Sequence, residues 1–528
     1  MKDFLKKNPV GPVLLLMLVC LAPLMAMRDF SPANELRYLS IADEAISNGN
    51  FFAFTNQMEP YADKPPLYFW LIMLCRILFG KHSMFVLSLF SFIPAAVITV
   101  VMDRWTMKGE SPLTRAAAAM MLCTTGMFLG MSVFLRMDML MCMFILLALY
   151  AFSRGKRWQF AIYTFLALFT KGPVGLLVPP LSVIVILLTS GRGRELGYWF
   201  GWRFWSVLAA CCAVWFGCAY IEGGADYLDN LLFHQTMGRA VNAFHHKAPV
   251  WQYCILIWGV LAPWCLLTVP SAIVSSVRKD GRDETERVLA WTVITTFLML
   301  SAFSSKLAIY LAPIFPFIVY LAVLLMRRAG YLTWMKCALA VPSVLWVLLG
   351  AALVAAVPLW DRMPVPAEFS FARSPLLIIA GFLMLAGGAV AVCRFMKDWR
   401  IPVLALGASL LLSVFTLSWK MPQINPYVGY ASLCEDIKSL AVPGENVYML
   451  RVTRPASMDV YLGFDVTEID SEMLLQIGAL PEQCMVVLDG SKKDAYKFEP
   501  MLASSGRTLQ RSGNFEIWYF PAGESNKE

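Results

Sequence analysis

Apolar runs about as long as a bilayer is thick, parted by short polar stretches, recur along most of this 528-residue chain. A helix crosses the hydrocarbon layer with about 20 mostly apolar residues. By that measure the pattern predicts spans at roughly 10–27, 83–102, 115–133, 138–153, 158–170, 173–190, 204–221, 252–276, 288–304, 307–326, 333–357, 375–394 and 401–418, about thirteen in all. The run 65–79 holds only about 15 residues, which suits a re-entrant or interfacial helix better than a span. Beyond residue 418 the pattern changes. The pieces "SLCEDIKSL", "NVYMLRV", "ASMDVYLG", "CMVVLD", "DAYKFEPMLASSG" and "NFEIWYF" alternate helix-like with strand-like periods and predict a small α/β domain. The expected organisation is a membrane part, 1–418, and a C-terminal domain, 419–528. Within the membrane part the loop 28–82 carries interfacial helices.

Composition agrees with that class. Hydrophobic residues make up 59% and charged residues 15%, and the mean hydropathy is +0.62; soluble domains are near a quarter charged. A net charge of +8 raises nucleic acid as a partner. The basic residues punctuate apolar segments instead of forming one face, so the bilayer is the partner and nucleic acid is not. Most of the 13 cysteines lie in or beside apolar stretches, where they act as small hydrophobes. Cys434 and Cys484 fall in the polar C-terminal part, where a disulfide is open to them if that part faces an oxidising compartment. The N-terminal apolar run is long for a signal peptide and lacks an A-x-A site, so it reads as a retained first helix.

Charge also assigns sides. With the N-terminus inside and 65–79 not counted as a span, every dense basic cluster falls on one face. Examples are Lys2, Lys6 and Lys7; Arg154, Lys156 and Arg157; Arg327 and Arg328; and Arg394, Lys397 and Arg400. Counting 65–79 as a span would place most of them outside. An odd number of spans then puts the C-terminal domain on the extracytoplasmic face, with the N-terminus cytoplasmic.

The same assignment leaves isolated charges on the outer face, next to proline, glycine and aromatic residues. "YADKPPLYFW" holds Asp63 and Lys64, and "ANELRY" holds Asn34, Glu35, Arg37 and Tyr38. "FLRMDML" holds Arg136 and Asp138, "FTKGPVG" Lys171, "SSKLAIY" Lys306 and Tyr310, and the loop 222–251 Arg239, His245 and His246. Charges at membrane depth are costly and usually face a cavity or a partner. Cations with carboxylates on one face suit a phosphate-bearing ligand, with the carboxylates placed for acid–base work or for a divalent cation. Each also has a plainer reading. Asp63 and Lys64 could pair as a helix cap, Arg136 and Asp138 as an interfacial pair, and Lys171 and Lys306 could snorkel to headgroups. A transporter or flippase would expose such charges too, but the sequence lacks the matching broken-helix halves common in that class.

The order of these pieces discriminates further. "ANELRY", "YADKPPLYFW", "RMDML", "FTKGPVG", "HHKAPVWQY" and "SSKLAIY", over about residues 30–320, resemble the GT-C class of polyprenyl-phosphate-sugar glycosyltransferases. The likeness is above all to the lipid A 4-amino-4-deoxy-L-arabinose transferases and bacterial protein-mannosyltransferase-like enzymes. The resemblance implies a GT-C-like fold and transfer of a sugar from undecaprenyl phosphate to lipid A, a related glycolipid or a protein. It implies Asp63, Asp138 and Glu35 as catalytic carboxylates, and Lys64, Arg239, Lys171 and Lys306 as ligands of the donor phosphate. Arg37, Tyr38, Asn34, Arg136, His246 and Tyr310 would contact substrate. Two positions depart from the family pattern: Asn34 stands for the first carboxylate of an acidic pair, and Gln235 for a glutamate. An amide is neither a base nor a strong cation ligand, so catalysis would rest on the remaining carboxylates or on an acceptor phosphate that needs no base. The sequence leaves the donor sugar open.

Overall fold

The structure is a computed structural model and describes residues 8–232, 248–277, 281, 283–442, 444–470, 484–492 and 497–520. Each apolar run expected to span is helical over most of its length. Seven described helices are long and apolar enough to cross a bilayer, among them Val10–Met27, Met84–Thr106 and Arg400–Ser418. The others are shorter or broken. The chain is a polytopic helical membrane protein with a small C-terminal sheet domain.

By internal contacts the residues form two compact units, one of 1–26, 61–68 and 85–419, the other of 27–60, 69–84 and 420–528. In the first unit, two expected spans are broken. Run 115–133 becomes Pro112–Cys123 and Gly126–Met131, and run 252–276 becomes Gln252–Val260 and Cys265–Val277. The breaks satisfy each other: Gly126 N–H donates to the Ala262 carbonyl at 2.8 Å, and the Trp264 indole donates to Thr124 Oγ1 at 3.1 Å. Backbone groups freed at membrane depth need such partners, because lipid offers none. Elsewhere small residues set the packing. A Cβ on Gly350 would lie 2.7 Å from the Gly381 carbonyl oxygen, so Thr333–Ala356 and Pro375–Arg394 touch backbone to backbone.

The second unit joins the first loop to the tail. Helix Glu35–Asn48 is followed by a short hairpin, Thr55–Asn56 with Glu59–Pro60, and later by most of helix Leu67–Phe79. That last helix, at about 20 Å, falls short of the ~30 Å hydrocarbon layer. It buries Phe69, Ile72 and Met73 and exposes Leu74, Ile77, Leu78 and Phe79, as an interfacial helix would. The tail sheet runs Thr467–Ile469, Asn446–Leu450, Cys484–Asp489, Phe515–Tyr519, Thr508–Ser512. The first three strands are parallel and the last two antiparallel, with Val487 opposite both Met449 and Ile517. Leu450, Ile469, Val486, Leu488, Leu502 and Trp518 form its core. Cys434 and Cys484 are both buried free thiols, so the pairing left open in the sequence is not made; burial pushes the Cys434 thiol up to about 12.

Asp29 ties loop to tail. Its carboxylate accepts from Ala431 N–H and Phe30 N–H, each at 2.7 Å, and from the Tyr461 hydroxyl. Asn425 accepts from Asp29 N–H at 3.0 Å and donates to the Met27 carbonyl at 2.8 Å. Ser40 donates to Asp459 at 2.7 Å.

Candidate functional site

Asp138 organises the polar centre of the first unit. It lies in the first turn of Met137–Ser153, where helix-end N–H groups favour an acid, and is 2% exposed. Lys171, the last residue of Arg157–Lys171, reaches Asp138 Oδ1 with its ammonium. Arg136 Nε lies 3.5 Å from Asp138 Oδ2, and Lys64 is near enough to act on the same carboxylate. Three cations from three separate sequence elements thus converge on one carboxylate.

Local folding explains how they arrive. Gly172, at φ 106°, ends the helix that carries Lys171, a conformation that an L side chain rarely adopts. The 61–68 segment is pinned at both ends. The Tyr227 hydroxyl donates to the Tyr61 carbonyl at 3.2 Å, and the Tyr68 hydroxyl lies 3.5 Å from Ser91 Oγ, which donates to the Phe134 carbonyl at 2.7 Å. Phe134 is two residues before Arg136, so this chain of contacts couples the Asp63–Lys64 turn to the Arg136–Asp138 turn. Asp63 and Lys64 are both half-buried.

A second group sits on the segment 303–310. The Lys171 ammonium lies 5.0 Å from the centre of the Tyr310 ring. Lys306 is 6% exposed, and its ammonium donates to the Phe303 carbonyl. Among the described residues no carboxylate pairs with it. A buried cation without a counter-charge is expensive and invites an anion. Ala248 N–H donates to the Ser304 carbonyl at 3.2 Å, which joins the "HHKAPVWQY" element to "SSKLAIY". Sequence reasoning passed over Tyr253. It is fully buried, and its hydroxyl lies by Tyr310 and the Leu307 backbone. As the second residue of helix Gln252–Val260, just after Trp251, it resembled ordinary core packing.

The remaining expected residues divide in two. Asn34, Glu35, Arg37 and Tyr38 belong to the second unit. Glu35 is 1% exposed and accepts two 2.7 Å bonds from the Arg28 guanidinium and one from Ser31 N–H at 2.7 Å. Asn34 is the N-cap residue of Glu35–Asn48, and its side chain makes no capping bond. The Arg37 guanidinium lies 5.7 Å from the Tyr38 ring centre, and Tyr38 packs edge-on against Phe69. Arg239, His245, His246 and Gln235 lie outside the described residues. Among the described residues no three His, Cys, Asp or Glu side chains gather as they would around a metal ion.

With this geometry in hand, likeness to known proteins can be weighed. No family model matches the chain. An undecaprenyl phosphate-alpha-4-amino-4-deoxy-L-arabinose arabinosyl transferase of Shewanella sediminis is 25% identical over 322 residues, 58% of this chain and 57% of the relative. The chain thus spans little more than half of that relative's length. A transferase of the same name from Pseudomonas aeruginosa is 26% identical over 402 residues, 72% of this chain and 69% of the relative. The crystal structure of ArnT from Cupriavidus metallidurans bound to undecaprenyl phosphate superposes with a TM-score of 0.73 at 18% identity, covering 98% of this chain and 99% of that one. That likeness runs over nearly the whole of both chains and shows a shared fold. In this chain Asp138 and Lys171 are both carried on apolar helices.

Proposed function

We propose that the chain is an integral-membrane glycosyltransferase that moves a sugar from an undecaprenyl-phosphate donor to lipid A or a related envelope glycolipid. The acceptor oxygen bonds to the anomeric carbon as the bond from that carbon to the donor phosphate breaks, and undecaprenyl phosphate leaves. The convergence of Lys64, Arg136 and Lys171 on Asp138 carries this reading. A departing phosphate gathers negative charge, and preset cations stabilise it most where water is scarce. Lys64 and Lys171 are the assigned phosphate ligands, with Lys306 and Tyr310 beside them and Arg239 from the loop. Asp138 holds Lys171 and Arg136 in place. Asp63, adjacent to Lys64, is the carboxylate assigned to the acceptor's proton. Glu35, closed in its ion pair with Arg28, is assigned to shaping the first loop.

The relatives' names and the bound lipid of the structural neighbour support undecaprenyl phosphate as carrier. The basic clusters support placement in a bacterial inner membrane with the N-terminus cytoplasmic and 419–528 periplasmic.

The test is Lys64→Ala. The variant inserts and folds like the parent, judged by its yield in membranes and its melting temperature, yet loses transfer by at least about a hundredfold, on the scale of one lost transition-state contact. Full activity would reduce Lys64 to a helix cap. Mass spectrometry of lipid A and envelope glycans from a deletion strain identifies donor sugar and acceptor together, as the one mass increment that disappears.

A further inference from the structure

A polar cavity of about 250 Å³ lies at the other end of the first unit's helices from the Asp138 cluster. Glu110 enters it from the turn after Met84–Thr106, Arg327 from the last turn of Phe315–Ala329, and Lys397, Asp398 and Arg400 from the link before Arg400–Ser418. Tyr310 precedes the opposite end of Phe315–Ala329, so about 20 Å of helix parts this cavity from the Asp138 cluster. Both spans end here, which puts the cavity at the boundary between lipid and water.

Its charges differ in how fully they are used. Arg400 and Asp398 bind each other through two bonds at 2.8 Å, and Arg327 donates to Asp283 at 2.6 Å. Glu110 is held only loosely, 3.9 Å from Arg327, and 24% of its side chain is exposed. The Lys397 ammonium has no ion-pair partner among the described residues. One under-used carboxylate and one unpaired ammonium therefore face the same space, over a floor of Val323, Met326 and Trp399.

We propose that this cavity binds the headgroup of an aminophospholipid. The phosphodiester sits on Lys397 and the outer edge of Arg327, the primary ammonium donates to Glu110, and the glycerol end rests on Trp399. A purely anionic headgroup would leave Glu110 opposed to its charge. A quaternary ammonium has no N–H with which to donate to that carboxylate. The inference rests on the membrane fold alone and is independent of the transferase reading.

The test uses the full chain, delipidated in detergent and mixed with phosphatidylethanolamine, phosphatidylglycerol or phosphatidylcholine, with retained lipid counted by native mass spectrometry. Phosphatidylethanolamine is expected to be kept several-fold more than the other two. Glu110→Gln, near-isosteric at a half-buried position, and Lys397→Gln, at an exposed one, should each weaken its retention about tenfold, as one charge-assisted contact would, with an unchanged melting temperature showing that the fold is intact. Equal retention of phosphatidylglycerol would overturn the proposal, and so would retention that neither variant changes. Glycerophosphoethanolamine competing as well as the whole lipid would overturn the assignment to a lipid in favour of a soluble zwitterion.

Discussion

Lys306 shows what a single residue can reveal. An ammonium buried to 6% exposure with a neutral carbonyl as partner destabilises the resting protein. Lys306→Met should therefore melt at the same temperature as the parent or higher, while transfer falls by about ten- to a hundredfold if the charge serves a phosphate. A variant that melts lower and keeps its activity would make Lys306 a structural group. Asp459 makes the complementary case in the second unit. Burial raises its carboxyl above the ordinary range, against the Ser40 hydroxyl and the Val460 N–H, which pull it down; Asp43 and Asp465 raise it further. Well below the ordinary value of 3.8 the group is protonated whether folded or not and contributes no penalty. As pH rises through that value and on through the raised one, ionisation costs the folded state more than the unfolded, and stability falls. Asp459→Asn is thus expected to unfold at a higher temperature than the parent at neutral pH, with the gap closing below about pH 4. Thermal melts across pH 3–8 check the sign.

At the scale of elements, the sequence disclosed existence better than continuity. Apolar length located the long apolar helices, and it marked 65–79 as too short to span; helix Leu67–Phe79 has 13 residues. Length could not show the breaks at 124–125 and 261–264, because their freed groups are satisfied by residues more than a hundred positions away. In the tail, "NVYMLRV", "CMVVLD" and "NFEIWYF" became strands, since their β-branched and aromatic residues suit a half-buried pleat. Strands Thr467–Ile469 and Thr508–Ser512 went unseen: they are edge strands, short or polar, and take their form from the neighbour they pair with. The turn between helices Met421–Val428 and Ala431–Leu440 offers a test. A Cβ on Gly429 would fall 2.0 Å from Asp29 Oδ2, so Gly429→Ala must displace the carboxylate that holds Ala431 and Tyr461. A loss of about 1–3 kcal/mol is expected, from buried donors left unsatisfied. It should be read as a lower melting temperature that Asp29→Ala in the same chain does not worsen additively.

For the whole molecule, the class was legible because hydropathy and charge bias are sums over hundreds of residues. The candidate site was legible only as an order of fragments. Asp138 and Arg136 announced each other by adjacency; Lys171 joins them from 33 residues on, through helix packing that no local pattern encodes. Glu35 stood out as an acid among apolar neighbours, but its two bonds to Arg28, seven residues back, were not legible from that pattern. The orientation read from the basic clusters makes a prediction at this scale. Alkaline phosphatase fused after residue 420 should be active and fused at residue 330 inactive, and the reverse pattern would invert the molecule.

The Asp29 node has a consequence in time. Asp29 and Tyr461 are 432 residues apart in sequence. At synthesis rates of about 5–20 residues per second, the first loop waits on the order of 20–90 s for the hydroxyl that its carboxylate will bind. Through that interval the loop can close its own Arg28–Glu35 pair, seven residues apart, but cannot complete the unit to which it belongs. The loop is therefore made first and finished last. A chain cut short between residues 420 and 460 would keep its apolar helices and lack the hydroxyl that its first loop binds.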